Sequence, residues 1–473
     1  MITKKAAKYL KSEISILPKR DKKWTIRSAA VFPNSYSAAM SNLGFLTLFG
    51  TMHEFYQFYP QRFFTGFDGS LEESEPLTSF PFIAVSIPYE LDYLNLVSML
   101  RENQIPVRAD ERANRIVIIG GAAPTINPRP LSKIADVIFV GEGQEFIRQI
   151  LTVISEFPPG ITDKNKILSK LAQIPGAWIP ALQSEMPKIA VSTENVPPVS
   201  PIVSSFSAFP NMALIQVQRG CPYRCPFCAT PVIHNPFCNF PAEKILENIS
   251  IWKNEIFRVG LIGSAIADHP QISDIMESLI SRDIEVYVSS LRLDNVGNRM
   301  IGILNNARQR VITFAPETGS ARLKEKIGKM IFADDIIRIS SQLNSPEIKL
   351  YYMVGMPNET MDDVSAIAEE IAEISAGLPS KKISASVNAF IPKCTTLWGN
   401  EKMLTHTELQ MRFDCLKKSL AKLKRVNLDT NYKRRIRLQW ALSCGGNDIA
   451  EAIVNFTDIS SFTKALRAQG WDI

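Results

Sequence analysis

The sequence predicts an α/β protein that contains a doubly wound sheet and a partial barrel, and three observations support this fold class. Apolar runs typical of buried strands alternate with helical patterns in both halves of the chain. A proline-rich stretch separates the two alternations, and the C-terminal part is helical and polar. We therefore predict a Rossmann-like domain at 1–157, a linker with short strands at 158–210, a partial (β/α)6 barrel of the TIM type at 211–395 and a helical region at 396–473.

The first alternation contains four apolar strand candidates. They read "IRSAAVF", "FIAVSIP", "RIVIIGG" and "ADVIFVGEG", and helical patterns such as "ELDYLNLVSMLRENQ" lie between or after them. Continuous apolar runs are typical of parallel strands that are buried on both faces. Gly120, Gly121, Gly141 and Gly143 follow strand ends, where ligands of open α/β sheets bind. Because glycine turns also serve plain chain reversal, these residues are candidates for cofactor binding and no more.

The second alternation contains six strand candidates. They read "ALIQVQ", "FRVGLIG", "IEVYVSS", "RVITFA", "IKLYYMV" and "ISASVNAF", with helical segments between them. Six βα units are too few to close an eight-stranded barrel, so we predict an open, partial barrel. Its working face should be formed by the carboxyl ends of the strands.

Composition limits the classes of partner. The chain has 473 residues, too many for one ordinary domain, and 45% of them are hydrophobic, enough for large cores. Its 53 basic and 47 acidic residues leave a net charge of +6, too small and dispersed to indicate nucleic acid. No apolar run approaches the ~18 residues that span a bilayer, and the N-terminal residues do not read as a signal peptide. We expect a cytoplasmic protein, in whose reducing surroundings clustered cysteines bind metals more often than they form disulfides.

The stretch "RGCPYRCPFCAT" places Cys221, Cys225 and Cys228 in eight positions directly after the first barrel strand. A zinc site would need a fourth ligand, and His234 or Cys238 could supply it. An iron–sulfur cluster on three thiolates would instead keep one iron open for another ligand. The second interpretation fits the spacing better, and zinc stays an alternative.

The C-x3-C-x2-C motif at this position resembles the radical S-adenosylmethionine (SAM) superfamily. The resemblance implies that the three cysteines hold a [4Fe–4S] cluster and that SAM chelates its fourth iron. It also implies that an electron, delivered by a donor such as flavodoxin or ferredoxin, cleaves SAM to a 5′-deoxyadenosyl radical. Phe227, the aromatic residue before the last cysteine, would lie beside the adenine.

Four further stretches extend the resemblance across the barrel. "GLIGSAI" stands where the family contacts the SAM amino group but lacks the usual acidic residue, which leaves Gly263 and Ser264 as candidates. "SSLRLD" offers Ser290 for the ribose and Arg292 for the carboxylate, which a guanidinium binds bidentately.

The remaining two stretches follow the next two strands. "FAPETGSARLKEKIGK" resembles the ExGS stretch, whose Glu317 would point toward SAM, and "YYMVGMPNET" resembles the GxPxET segment, whose Gly355 would flank the adenine. Glu317 and Arg292 are equally candidates for internal salt bridges. No side chain is assigned as catalytic.

The N-terminal half is similar to the first domain of cobalamin-binding-type radical SAM proteins, closest to an uncharacterised branch. The likeness is carried by "FPNSYSAAMSNLG", "SIPYELDYLNLVSML" and "GGAAPTINPRPLSKIADVIFVGEGQEF". The four histidines at 53, 234, 269 and 406 do not lie in the Asp-x-His-x-x-Gly loop that binds cobalt in many such domains. Two alternatives stay open: cobalamin binds without a protein axial ligand, or the domain keeps only the shape.

Two further residues have a functional and a structural interpretation. His269 could be an acid or base, and Cys394 a thiol near the substrate; the structural interpretation is favoured for both. We expect an enzyme that functionalises an unactivated carbon, with methyl transfer through cobalamin as one form. The alternatives are a cobalamin-free radical SAM enzyme acting on RNA or in sulfur transfer, and a zinc-stabilised binding protein. Methylthio-transfer families carry N-terminal cysteines, whereas this chain has no cysteine before Cys221.

Overall fold

The computed structural model describes residues 2–18, 26–161, 163–253, 255–307, 309–430 and 435–473. The strands, β1 to β18 in chain order, are Glu13–Ser15, Ile26–Phe32, Phe58–Phe64, Phe82–Ser86, Ile116–Gly120, Val137–Phe139, Ala177–Trp178, Ile202–Ser204, Ala213–Gln216, Gln218–Arg219, Cys238–Asn239, Arg258–Ile262, Glu285–Val288, Ser290–Leu291, Val311–Glu317, Glu347–Val354, Lys382–Ala389 and Val426–Thr430. The α-helices, α1 to α18, are Lys4–Leu10, Tyr36–Ala39, Leu43–Glu54, Asp92–Glu102, Ala122–Ile126, Gly143–Ser155, Lys164–Leu171, Thr230–Ile233, Ala242–Ser250, Ile272–Ile280, Asn298–Asn306, Ala321–Ile327, Ala333–Ser340, Met361–Gly377, His406–Leu420, Arg435–Cys444, Asn447–Val454 and Ile459–Ala468.

The chain divides into two compact units. The first unit contains Met1–Leu214, Ile251–Ile256 and Ala441–Trp471, and the second contains Ile215–Ser250, Phe257–Trp440 and Asp472–Ile473. Among the described residues, no helix is long and apolar enough to cross a membrane. The domain boundaries stated above stay predictions.

The first unit is built on a sheet in the order β3-β2-β4-β5-β6-β7. The strands pair in parallel except for β6 and β7, which are antiparallel. The four apolar runs of the sequence form β2, β4, β5 and β6, as predicted, because both faces of these strands are covered. From β2 the chain adds β3 on one side of the sheet and then β4 to β7 on the other side. The strand order therefore reverses between β2 and β4, and ligands of doubly wound sheets bind at such a switch point.

A polar cluster around one buried carboxyl group lies at this switch point. Asn34 follows β2, and its Nδ2 donates to Oδ1 of Asp92, at the start of α4, over 2.8 Å. Asn95 Nδ2 donates to the same oxygen over 2.9 Å. Asp92 is 2% exposed, and burial, which outweighs these two amide hydrogen bonds, raises its pKa to about 6. No motif in the sequence indicates this cluster.

The C-terminal segment of the first unit is attached through polar anchors. Asn127 Nδ2 donates to the carbonyl oxygen of Gly445 over 2.8 Å, and Ser443 Oγ donates to Glu90 Oε1 over 2.8 Å. Lys133 pairs with Glu451 over 2.5 Å. The region predicted to be helical, 396–473, contains α15, α16, α17 and α18 together with the strand β18.

The second unit contains the partial barrel. Its strands lie in two hydrogen-bonded groups, β13-β12-β9 and β14-β15-β16-β17-β18, and Ser289 is the one residue between β13 and β14. The six predicted strands are present, but the prediction missed β18, which pairs in parallel with β17. The sequence "VNLDT" alternates exposed and half-buried residues, so it lacks the apolar run by which the other strands were recognised.

A buried ion pair fastens the outer face of the barrel sheet. Lys324 on α12 is fully buried, and its Nζ donates to Glu370 Oε1 on α14 over 2.5 Å. Tyr352 on β16 donates from its hydroxyl to Glu370 Oε2 over 3.4 Å. Burial raises the pKa of Glu370 despite the adjacent ammonium. The pair therefore connects two helices with the central strand.

Loss of one partner of this pair should destabilise the protein strongly. Lys324→Met leaves the Glu370 carboxylate buried and uncompensated, so we expect the free energy of unfolding in urea to fall by about 3–5 kcal/mol. Lys324→Met with Glu370→Leu should recover most of the loss. Arg338→Met, which breaks an exposed pair with Asp335, should cost less than about 1 kcal/mol. Equal losses in Lys324→Met and Arg338→Met would contradict this prediction.

Asp92 should make stability pH-dependent. Its native pKa lies above the ordinary value of 3.8. Because the native state holds this proton more tightly than the unfolded state, the contribution of Asp92 is most favourable below pH ~4 and declines as the pH rises through ~6. Wild type should therefore lose about 2 kcal/mol of unfolding free energy between pH 4 and pH 7 that Asp92→Asn does not lose. The advantage of the variant over wild type should grow by that amount.

The measurement compares urea unfolding of both proteins at the two pH values. The exposed Asp334→Asn on α13 serves as a control that should show no such gain. A difference between Asp92→Asn and wild type that does not change with pH would refute the assignment.

Candidate functional site

The cysteine loop leaves the barrel through a tight turn. β10 pairs with β11 in antiparallel fashion, which places Cys238 opposite Arg219. Gly220 has a φ of 72°, and a Cβ there would lie 2.1 Å from the carbonyl oxygen of His234. Glycine is therefore required at the residue that directs the chain into Cys221.

The three cysteines are half-buried on this loop. The amide of Cys228 donates to the carbonyl oxygen of Cys225 over 3.0 Å. Burial raises the pKa of Cys221 and of Cys225; the charge of Arg292 opposes this at both, and that of Lys329 opposes it at Cys225. Metal clusters bind the thiolate form, so the two cations favour the state that a cluster needs.

The donor set agrees better with an iron–sulfur cluster than with zinc. In the part of the chain that the structure describes, no three His, Cys, Asp or Glu side chains are arranged to hold one metal ion. A structural zinc needs four ligands around a single ion. Three thiolates that each bind a different iron of one cluster do not need to converge on one point.

Arg292 lies against the cysteine loop. Its guanidinium carbon is 3.5 Å from the ring centroid of Tyr223, which stands between Cys221 and Cys225. Stacking uses the face of the guanidinium, whereas a carboxylate binds to its N–H edge. Arg292 thus lies beside the cysteine loop, and its predicted contact with the SAM carboxylate stays a prediction.

Glu317 ends β15 in a strained conformation. Its φ is 70°, and the register with β16 shifts between Phe314 and Glu317. Its Oε1 accepts a hydrogen bond from Lys329 Nζ over 2.7 Å, with both side chains largely buried. The salt-bridge interpretation of Glu317 is thus observed; a SAM contact stays a prediction. Left-handed backbone at a non-glycine residue is concentrated at functional sites.

Lys329 is a site residue that the sequence did not predict. It follows Gly328, the left-handed residue that ends α12, with a φ of 66°. The signal available was its place at the end of the ExGS-like stretch, yet nothing local indicates that this lysine turns back toward Glu317 and Cys225.

The loop after β12 brings a further carboxylate toward the cysteines. A Cβ on Gly263 would lie 2.9 Å from Gln218 Oε1, and Ser264 is exposed. Asp268 accepts from Asn295 Nδ2 through Oδ1, while its buried Oδ2 has no partner among the described residues. The charge of Asp268 also raises the pKa of Cys221. An acidic residue is therefore present after this strand, although not within "GLIGSAI".

Phe227 packs into an apolar cluster at the same face. Its ring centroid lies 6.3 Å from that of Trp398, whose amide donates to the carbonyl oxygen of Pro226 over 3.0 Å. Met353 and Met356 belong to the cluster. Trp398 thus anchors the cysteine loop from the segment after β17, a contact that sequence spacing does not reveal.

The turn after β16 accounts for the glycine at position 355. Its φ is 86°, and its amide donates to Glu359 Oε2 over 2.6 Å. Glu359 is in turn paired with Arg412 over 2.8 Å. Ser290 pairs with Thr313 through the backbone, and its side chain lies outside the described residues.

Two of the four glycines in the first unit are required by close packing of the backbone. A Cβ on Gly121 would lie 2.5 Å from the carbonyl oxygen of Ile87, and one on Gly141 would lie 2.3 Å from that of Ala190. The nearest contacts at Gly120 and Gly143 are ordinary, at 3.7 and 3.4 Å. Cofactor contacts at these four positions therefore stay predictions.

The structural interpretation of His269 agrees with its contacts. It is 2% exposed, its Nε2 lies 2.9 Å from the carbonyl oxygen of Phe240, and its Nδ1 accepts from the amide of Gln271 over 3.1 Å. Burial lowers its pKa. His53 Nδ1 lies 3.1 Å from the carbonyl oxygen of Phe49 in its own helix.

Comparison with known proteins identifies the family. The family described as "Radical SAM superfamily" matches residues 215–371, and that described as "Radical SAM proteins, N-terminal" matches residues 67–180. A relative from Methanocaldococcus jannaschii, the uncharacterized protein MJ0966, is 26% identical over 400 residues and covers 83% of both chains.

Two solved structures share the fold. The first is the radical SAM methyltransferase TsrM from Kitasatospora setae, with a TM-score of 0.56, 14% identity and coverage of 80% of this chain and 75% of that chain. The second is the cobalamin-dependent radical SAM enzyme OxsB, with a TM-score of 0.53, 15% identity and coverage of 74% of this chain and 52% of that chain. At these identities the two structures show the fold alone, and the two family matches identify the chain as a radical SAM enzyme.

Proposed function

We propose that the chain holds a [4Fe–4S] cluster on Cys221, Cys225 and Cys228 and uses SAM to functionalise an unactivated carbon. The observation that carries this proposal is the half-buried three-cysteine loop with Arg292 and Lys329 beside it. When bound on these cysteines, a cluster would supply one electron for the cleavage of SAM to methionine and a 5′-deoxyadenosyl radical.

The residues around the loop are suited to orient SAM. Arg292, held against Tyr223, binds the carboxylate through its N–H edge. Gly263, Ser264 and Asp268, after β12, present backbone groups and a carboxylate to the amino group. Each donor or acceptor is held before SAM arrives, which lowers the ordering cost of binding.

The apolar cluster protects the radical. Phe227 and Trp398 cover one side of the cysteine loop, and Phe390 packs edge-on against Trp398 with ring centroids 5.6 Å apart. Excluding water from a site limits side reactions of reactive intermediates. Glu317, at the end of β15, is held by Lys329, and its charge acts on Cys225 of the same loop.

Cobalamin-dependent methyl transfer is the form of the reaction that we propose first. The solved structures with this fold include a protein named as a methyltransferase and one named as cobalamin-dependent. In this chain the half-buried amides of Asn34 and Asn95, held by Asp92 at the switch point, provide hydrogen-bonding groups for the amide side chains of a corrin. The second candidate, a cobalamin-free enzyme, is favoured by Gly121 and Gly141, whose conformations packing alone explains.

The proposed enzyme needs a one-electron reductant, and we expect a flavodoxin or ferredoxin in the cytoplasm to supply it. We do not expect nucleic acid as the substrate, because the excess of basic residues is small and dispersed.

Replacement of one cysteine should abolish the cluster. After anaerobic reconstitution, Cys225→Ala should lack the [4Fe–4S] absorbance and form no 5′-deoxyadenosine from SAM, because two thiolates do not hold the cluster. Cys415→Ala, on α15, is the matched control and should keep both properties. SAM cleavage that survives in Cys225→Ala would show that the cluster lies elsewhere.

Cobalamin binding distinguishes the two forms of the reaction. Protein purified anaerobically with hydroxocobalamin should retain it, as seen in the visible spectrum. Asn34→Asp, which adds a carboxylate beside Asp92, should retain at least tenfold less, whereas Asn103→Asp at the far end of α4 should behave as wild type. Wild type that retains no cobalamin would remove the methyl-transfer proposal and leave the radical chemistry standing.

A further inference from the structure

The barrel sheet has an apolar outer face and a polar inner face. Along β16, alternate residues are fully buried against the helices, and Tyr352 contacts Glu370 on α14. Side chains of a strand alternate between its two faces, so the other residues of β16 point into the barrel. These half-buried inner residues are Glu347, Lys349, Tyr351 and Met353.

The inner face carries a polar row at the level of Lys349. The parallel register places Thr313 of β15 on one side of Lys349 and Ser384 of β17 on the other. All three are half-buried, whereas Ile312 and Ile383, beside them on the outer face, are fully or nearly fully buried. Closed barrels usually fill this interior with Val, Ile and Leu. Polar side chains at this level of the barrel interior therefore indicate a site for a ligand.

The Lys349 ammonium points along the strand toward the cysteine end. Its Nζ lies 5.0 Å from the ring centroid of Tyr351, two residues nearer the carboxyl end. Among the described residues, Lys349 pairs with no carboxylate. Glu347 on the same face accepts from Ser384 Oγ over 2.5 Å and lies 3.5 Å from Lys382 Nζ. The nearby carboxylate is thus engaged by other groups.

The same face leads to the cysteine loop. Met353 packs into the apolar cluster that contains Phe227. At a rise of about 3.3 Å per residue, Lys349 lies about 13 Å below Met353 along β16. A small molecule of ordinary metabolite size spans that distance between an anchoring group and a reacting carbon.

We propose that Lys349, with Thr313, binds an anionic group of the substrate, a carboxylate or a phosphate. The ammonium supplies the charge-assisted hydrogen bond, and the Thr313 hydroxyl completes the contact. The inference rests on the proposed function, since it assigns the substrate class of the same barrel: acidic small molecules, with the reacting carbon toward the cysteine loop.

The test measures anion binding by the reconstituted protein with succinate and with inorganic phosphate as probes in isothermal calorimetry. We expect wild type to bind at least one probe, Lys349→Met to bind it at least tenfold more weakly, and Lys349→Arg to remain within about threefold. The exposed Lys417→Met on α15 is the control and should match wild type. Melting temperatures confirm that each variant folds.

The two probes identify the anion, because preference for succinate indicates a carboxylate and preference for phosphate a phosphate ester. Wild type that binds neither probe, or Lys349→Met that binds as wild type does, would overturn the inference. Cluster absorbance and SAM cleavage are measured in the same preparations. Their absence from wild type would instead sink the proposed function, so the two failures are distinguishable.

Discussion

The organisation of the second unit depends on one constraint. Three half-buried thiols lie on one short loop and must be able to lose their protons. Burial opposes the thiolate at Cys221 and Cys225. The barrel offsets this with cations from different elements: Arg292 comes from the segment after β14, and Lys329 from the end of α12. Parallel strands make this possible because their carboxyl ends, with the loops that follow, meet at one edge.

Other features of the site maintain these positions. Glu317 adopts a left-handed conformation and pairs with Lys329, so the strain at the end of β15 is coupled to the position of a charge near Cys225. Trp398 anchors the cysteine loop through Pro226 and covers Phe227. The outer ion pair of Lys324 and Glu370 keeps α12 and α14 fixed to the sheet. Residues such as Trp398, Lys324 and Glu370 therefore position the site without contacting the reacting groups themselves.

The first unit shows a different relation between motif and function. Gly121 and Gly141 lie where a cofactor turn would be expected, yet neighbouring backbone accounts for both. The polar cluster of Asn34, Asp92 and Asn95 lies at the switch point between β2 and β4, and no sequence motif predicts it. The buried Asp92 carboxyl group, with its raised pKa, lies near the carboxyl ends of the central strands and lowers stability at neutral pH. Strongly shifted pKa values are concentrated at functional sites.

The sequence by itself determined the fold class, most of the parallel strands and the cysteine loop, because these depend on apolar periodicity and on residues close together in the chain. Only the tertiary structure showed β18, Lys329, Trp398 and Asp268, whose roles depend on partners far away in sequence. The structure also distinguished glycines that share one sequence pattern. Gly121 is required because a Cβ would meet the carbonyl oxygen of Ile87, whereas Gly120 makes only ordinary contacts. The inward direction of Lys349 was likewise decided by strand register, because alternation defines two faces and only packing shows which one the helices cover.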